Sequence, residues 1–372
     1  FERMGGEVVA QTDRASTAYR VTVLPEHFPN ALALLVRMLT KPALRESDWN
    51  VERAVILREK GVAQSDGVKL GMQLMAETAH SAVNSAHGQP IMGSLANVTR
   101  FAASDLRTFH AAHYAPTQFT VAVCGAVTAD AVAKEVATVL PATTAPMEAV
   151  PAPVISAQES LEPRRASLLP ANAQTDRALA TLTIGFSATP IAADPRRAAT
   201  CDVLVALLAR GNGGMLPTRL RANPTTNALS VEADYLPQAD SAMMVIRATG
   251  AKQNIGRIED AVVETLAELA QRLADGGAAS LAEELAVAKS AAIADVRYQR
   301  ETVDGEARYL AFLDTINAPA DYADLYAERV RAVTGADILR VLEQEVTPRK
   351  RVVSVVGLSA PASVGTKETV VP

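Results

Sequence analysis

Aromatic residues make up only 4% of the 372 residues, with a single Trp, and no block of Lys and Arg stands out. A base-stacking platform or a basic stripe is therefore missing, and the net charge of −5 with a pI near 5.7 also argues against a nucleic-acid partner. Cysteine is scarce too. Cys124 and Cys201 are far apart and each sits in an apolar segment, which reads as two buried thiols rather than a disulfide. That count does not identify the compartment. No apolar run is long enough to span a membrane, and no signal-peptide pattern opens the chain. The chain begins Phe1-Glu2-Arg3 rather than with Met, in what reads as the interior of a helix, so a processed or truncated product is expected. Histidine is limited to His27, His80, His87, His110 and His113, and none of the five falls in a His-x-x-Glu-His pattern. No Gly-x-Ser-x-Gly elbow is present, so nucleophilic catalysis has no support.

What is present is the composition of a folded protein, 49% apolar and 21% charged, in a chain long enough for two domains with full cores. Gly5-Gly6 ends a first short helix. Alternating residues then predict strands over 8–12 and 17–24. Helices are expected over 29–40, along the stretch after Ser47-Asp48, and over 69–83, 104–113 and 129–140, with an apolar strand over 119–125. Residues 141–170 turn to Pro, Ala, Thr, Ser and Glu with little periodicity and mark a linker, part of which is open to a strand reading. Beyond it come a strand over 178–186, a helix over 196–209, and strands over 228–235 and 242–248. Helices follow over 254–274, 280–297, 301–316 and 336–345, and a last strand over 351–357. The domains expected are 1–140 and 171–361, joined by 141–170, with a tail at 362–372.

The chain contains an internal repeat. Asp105, Pro116 and Gly125 bracket a helix, a turn and an apolar strand, and Asp337, Pro348 and Gly357 bracket the same series, each pair offset by 232. One pair of residues stands apart under this offset. Glu52 and Glu59 are seven residues apart in Glu-Arg-Ala-Val-Ile-Leu-Arg-Glu, so on a helix they share a face, with Val55 and Ile56 between them. This pattern fits a solvated helix edge with Glu–Arg pairs as well as a chemical site. The repeat bears on the choice: Glu52 corresponds to Glu284, but Glu59 corresponds to Ala291. An acid kept in only one of two copies is what a chemical role would leave behind.

Two other motifs yield nothing of the kind. His110 and His113 lie at i, i+3 on a helix with no third ligand nearby, and read as structural or surface groups. Gly211-Asn212-Gly213-Gly214 follows a helix and lacks the Lys-Ser/Thr of a phosphate loop, so it reads as a tight turn.

Met4-Gly5-Gly6-Glu7, Thr17-Ala18-Tyr19, Leu24-Pro25-Glu26, Glu52-Arg53 through Glu59, Gly88 to Gly93, His113-Tyr114-Ala115-Pro116 and Gly213-Gly214-Met215 with Arg219-Leu220 together resemble the insulinase/pitrilysin family of zinc metallopeptidases. The resemblance runs from Phe1 to about Pro361. It implies an α+β fold of two related domains, each an antiparallel-rich sheet packed by helices, facing one another around a chamber for an extended peptide. It also implies a zinc cofactor held by two His of a His-x-x-Glu-His helix and by a distal Glu matching Glu59, with Glu52 orienting that shell. Arg221 matches a substrate-holding Arg of the second domain. In the family the His-x-x-Glu-His segment lies upstream of Met-Gly-Gly, which would put it before Phe1, so this chain is expected to bind zinc poorly and to leave peptides uncut. Val9 stands where the family often has Asn, and Ala228 where it often has a Tyr seven residues after the Arg. The resemblance thus leaves two readings: a zinc endopeptidase acting on peptides or unfolded segments, or a non-catalytic subunit that lends structure and peptide binding to an active partner. Either implies a homo- or heterodimer with a family member.

Overall fold

A computed structural model of the chain describes residues 1–14, 16–63, 66–80, 86–140, 164–168, 179–276 and 281–357. The first half contains β1 (Glu7–Thr12), β2 (Thr17–Thr22), α1 (Phe28–Thr40), α2 (Glu46–Ala63), α3 (Gly67–Ala79), α4 (Leu95–Arg100), α5 (Ala103–His113) and α6 (Ala129–Val139). The second contains β3 (Arg164–Leu168), β4 (Leu179–Ala188), α7 (Pro195–Ala209), α8 (Met215–Ala222), β5 (Ser230–Pro237) and β6 (Ala242–Ala251). It continues with α9 (Ile255–Ala274), α10 (Ala282–Gln299), α11 (Val303–Thr315), α12 (Tyr322–Ala332), α13 (Gly335–Gln344) and β7 (Val352–Val356). The chain forms two compact units that are not consecutive stretches. Residues 1–60, 90–154 and 297–315 belong to the first, and residues 61–89, 155–296 and 316–372 to the second.

The second unit is built on a five-stranded sheet in the order β3-β7-β4-β6-β5, in which only β3 and β7 run parallel. The two faces of this sheet are chemically different because successive side chains of a strand point to opposite sides. Leu182, Ile184, Phe186, Met244, Ile246, Val353 and Val355 form one face, which is wholly apolar and buried. α9 covers that face with Ile255, Ile258, Val262, Leu266, Leu269 and Leu273 at helical spacing. The opposite face presents Thr181, Thr183, Gly185 and Ser354, and α3 lies on it. The approach is close because Gly67 and Gly71 have no side chain: a Cβ on Gly71 would stand 2.7 Å from Thr183 Oγ1. Ser354 Oγ donates to the Gly71 carbonyl at 2.7 Å in a fully buried bond. α12, which the sequence reading passed over, buries Tyr322, Tyr326 and Val330 at i, i+4 and i+8. That stripe is one residue wide, too narrow to stand out among the Arg, Glu and Asp around it.

The first unit has a much thinner sheet. β1 and β2 pair in antiparallel register from Glu7↔Thr22 to Thr12↔Thr17, closed by Asp13 N–H donating to the Ser16 carbonyl at 2.8 Å. Gly5, at φ 66°, closes the short turn before β1, a conformation that glycine adopts without cost. All six residues of β1 are exposed. α11 packs on β2, where Asp304 is ion-paired with Arg20. Thr120 Oγ1 donates to Asp314 of the same helix at 2.6 Å. α1 buries Ala31, Leu32 and Val36 and lies against α6.

The strand expected over 119–125 does not form. These residues belong to no ladder among the described residues, and Val121 is 41% exposed. The equivalent β7 is a strand because β3 and β4 flank it and supply its hydrogen bonds. Apolar alternation predicts a willingness to pair, and the partner decides the outcome. Elsewhere the repeat is evident in the elements themselves. α5 and α13 begin 232 residues apart, and each is followed by a short 3-10 turn at the same offset, Pro116–Gln118 and Pro348–Lys350. Asp105 accepts from the N–H of Ala102 at 2.9 Å, just as Asp337 accepts from the N–H of Thr334 at 2.9 Å.

Candidate functional site

α2 carries the paired acids, and one stripe of its side chains holds it in place. Trp49 is buried and donates from Nε1 to the Phe101 carbonyl at 2.7 Å. The Arg53 guanidinium lies over the Trp49 ring, 5.9 Å from its centroid, and reaches the Asn50 side chain at 2.8 Å. Lys60 Nζ donates to the Gly93 carbonyl at 2.6 Å. At about 100° per residue, Trp49, Arg53 and Lys60 fall within about 40° of one another around the helix axis. Glu52 and Glu59 fall within about 20° of each other and roughly 60–120° away from that stripe. Both acids are exposed, while Val55, Ile56 and Leu57 are half-buried. The helix is thus fixed in rotation by one side and presents both carboxylates on another. In the second copy the counterpart of Glu52 is Glu284 on α10, which is ion-paired with Arg272 at 3.5 Å.

Arg221 lies exposed on α8 in the second unit, and its Nη1 donates to Asn212 at 2.6 Å, tying it to the glycine-rich turn. Ala228, at the position where the resemblance expects Tyr, is 4% exposed and donates its N–H to the Leu220 carbonyl at 2.9 Å. The histidine pair on α5 serves packing. His110 Nε2 meets the Leu39 carbonyl at 2.6 Å and its ring stacks on Tyr114, while His113 lies against the Phe109 ring. Cys124 is half-buried and Cys201 buried, and both are free thiols. Burial, helped by Glu345, pushes the Cys201 thiol up.

A zinc ion asks for three or four N, S or O donors converging on one point. Among the described residues no group of three His, Cys, Asp or Glu is placed to do so. Glu59 is a solvent-facing carboxylate with no second and third donor converging on it among the described residues, so the donors present do not fit the metal.

Sequence reasoning missed one titratable site. Asp202 on α7 has its carboxyl pushed up to about 7, chiefly by burial and also by the nearby Asp295; the Tyr326 hydroxyl, donating at 3.1 Å, partly offsets the rise. An Asp in the middle of an apolar helical run was the only available signal.

The described residues thus show paired acids on a clamped, exposed helix within a duplicated α+β scaffold, and comparison with known proteins gives the class, a metallopeptidase family. The family model for insulinase (peptidase family M16) matches residues 1–93, and the model for the peptidase M16 inactive domain matches residues 100–276. The chain belongs to the insulinase family. An uncharacterised zinc protease of Streptomyces coelicolor is 32% identical over 136 residues, 37% of this chain and 29% of that protein. The human mitochondrial-processing peptidase subunit beta is 28% identical over 130 residues, 35% of this chain and 26% of that protein. The matched stretches therefore span less than a third of those relatives' lengths. Among solved structures, a protease from Helicobacter pylori superposes with a TM-score of 0.80 at 17% identity, covering 95% of this chain and 82% of that one. A peptidase M16 inactive domain from Pseudomonas fluorescens gives a TM-score of 0.70 at 14% identity, covering 98% and 84%. At these identities the structural likeness speaks for the fold. No helix among the described residues is long and apolar enough to cross a membrane.

Proposed function

We propose that residues 1–372 form the scaffold part of a zinc metalloendopeptidase, with Glu59 as one ligand of a site whose two imidazoles lie outside this sequence. The observation that carries this reading is α2: its rotation is fixed by Trp49, Arg53 and Lys60, and it exposes Glu52 and Glu59 on one face without a donor set of its own. Glu52, one helical repeat behind Glu59, orients the ligand shell rather than joining it. Among the described residues β1 pairs with β2 alone, which leaves its other edge for an extended peptide to add as a further strand.

The test has two arms. The chain alone, purified and dialysed, is expected to retain far less than one zinc per molecule, and a stoichiometric content would refute the proposal. With a His-x-x-Glu-His segment supplied ahead of Phe1, one zinc per chain and peptide cleavage should appear, and both should be lost in Glu59→Gln. Zinc retained at full stoichiometry by that variant would remove Glu59 from the site.

A second reading, a non-catalytic subunit that assembles with an active family member, is favoured by Ala228 and Val9. Ala228 is buried, so a Tyr there would meet packed atoms, and the substrate-holding pair would have to come from a partner. The names of the relatives, which include a processing-peptidase subunit and a complex III assembly, are consistent with a heteromeric habit. Copurification of a family partner, with activity in the mixture and none in either component, would decide for this reading.

A further inference from the structure

The duplicated halves of the chain do not coincide with the two compact units: each contributes one helix to the unit built mostly by the other. α3 comes from the first half of the sequence, yet it belongs to the second unit and lies on β3, β7 and β4. Its seat is specific. Gly67 and Gly71 fit over Thr181 and Thr183, Met75 packs with Val245 and Val352, and Leu74 packs with Ala166 and Val356. Ser354 Oγ, fully buried, closes the seat by donating to the Gly71 carbonyl at 2.7 Å. α11 comes from the second half and belongs to the first unit. There Asp304 pairs with Arg20 of β2, and Asp314 accepts from Thr120 at 2.6 Å. The two helices hold corresponding places in the repeat, each following the long helix α2 or α10, so the exchange is reciprocal.

We propose that this exchange makes the two halves obligate partners, so that residues 1–154 and 155–372 remain one assembly when the chain between them is cut. The partner surface on one half is the Thr181, Thr183, Gly185 and Ser354 face of the sheet, and the partner is α3 of the other. Without α3 that face would expose the apolar side chains of Val245, Val352 and Val356 to water, which opposes separation of the halves.

The experiment uses the full chain with a site-specific protease sequence inserted between Val154 and Ile155. After cleavage, the two pieces should elute together on native gel filtration at the position of the uncut 39.2 kDa chain, with an unchanged circular dichroism spectrum. Two separate peaks, or precipitation of either piece on cleavage, would overturn the proposal. Co-elution by some other surface is told apart by a variant. Gly71→Leu with Asp304→Lys in the cut protein should weaken association of the halves by about tenfold or more, while the uncut variant stays folded because linkage keeps the halves at high effective concentration. Where the uncut double variant does not fold, Ser354→Ala with Asp304→Asn gives the same readout with a milder change. Halves of either variant that associate as tightly as the parent halves would show that the exchanged helices do not hold them, and would refute the inference.

Discussion

Gly71→Ala tests the close approach of α3 to the sheet. In an exposed helix this change would stabilise by about 1 kcal/mol, because Ala loses less backbone entropy. Here the new Cβ would stand 2.7 Å from Thr183 Oγ1, well inside van der Waals contact. Thr183 is fully buried in β4, and its β-branched side chain has few rotamers to retreat into. Overpacking of this kind costs about 1–3 kcal/mol, and shifting α3 away would also stretch the bond from Ser354 to the Gly71 carbonyl, which contributes about 1 kcal/mol. The sum predicts net destabilisation of roughly 1–3 kcal/mol, read as a lower urea midpoint with an unchanged slope. A double-mutant cycle sharpens the claim. Thr183→Ala removes the atom that the new Cβ meets, so Gly71→Ala should cost at least 1 kcal/mol less in that background, by roughly the relieved overpacking. A stabilising Gly71→Ala, or equal costs in the two backgrounds, would refute the close approach of α3 to the sheet.

Asp202→Asn should change how stability depends on pH. The folded carboxyl titrates near 7 against about 3.9 in an unfolded chain, so it is raised, and its contribution is fully present below about pH 4 and lost as pH rises through 7. The Asn variant should match the parent near pH 4 and exceed it at pH 8 by on the order of 2–4 kcal/mol in urea titrations; a variant less stable than the parent at pH 8 would contradict the assignment. Glu59→Gln and Glu52→Gln, both exposed on α2, should leave the urea midpoint of this chain within about 0.5 kcal/mol of the parent, and a larger loss would mean that the acids serve the fold. Lys60→Met should loosen the C-terminal turn of α2 from Gly93, seen as faster amide exchange in residues 58–62 while the exchange of α9 is unchanged.

How much of this was legible from residue order can be judged from particular elements. β1, β2, α1, α9 and α13 follow from alternation or helical spacing within one or two residues of their ends, because both periods are local, and in the three helices the buried face is written into the pattern. The repeat was legible from three residue pairs at one offset and reappears in the caps and 3-10 turns. The pairing of Glu52 with Glu59 on one helical face needed only the geometry of a helix. The family resemblance came from motifs that are linear in sequence.

Three features depended on tertiary structure. Residues 119–125 have the apolar composition of β7 but no neighbouring strand, and a strand exists only as a ladder. The exposure of the two acids followed from Trp49, Arg53 and Lys60 gripping carbonyls 33 to 52 residues away, which no local window contains. The exchange of α3 and α11 is the clearest case. By itself the sequence determined most of the helices and strands and the apolar face of α1, α9 and α13, since these depend on neighbours within a turn or two. Which sheet each helix covers was decided by long-range fit, where two glycines meet two threonines and an aspartate meets an arginine 284 residues away.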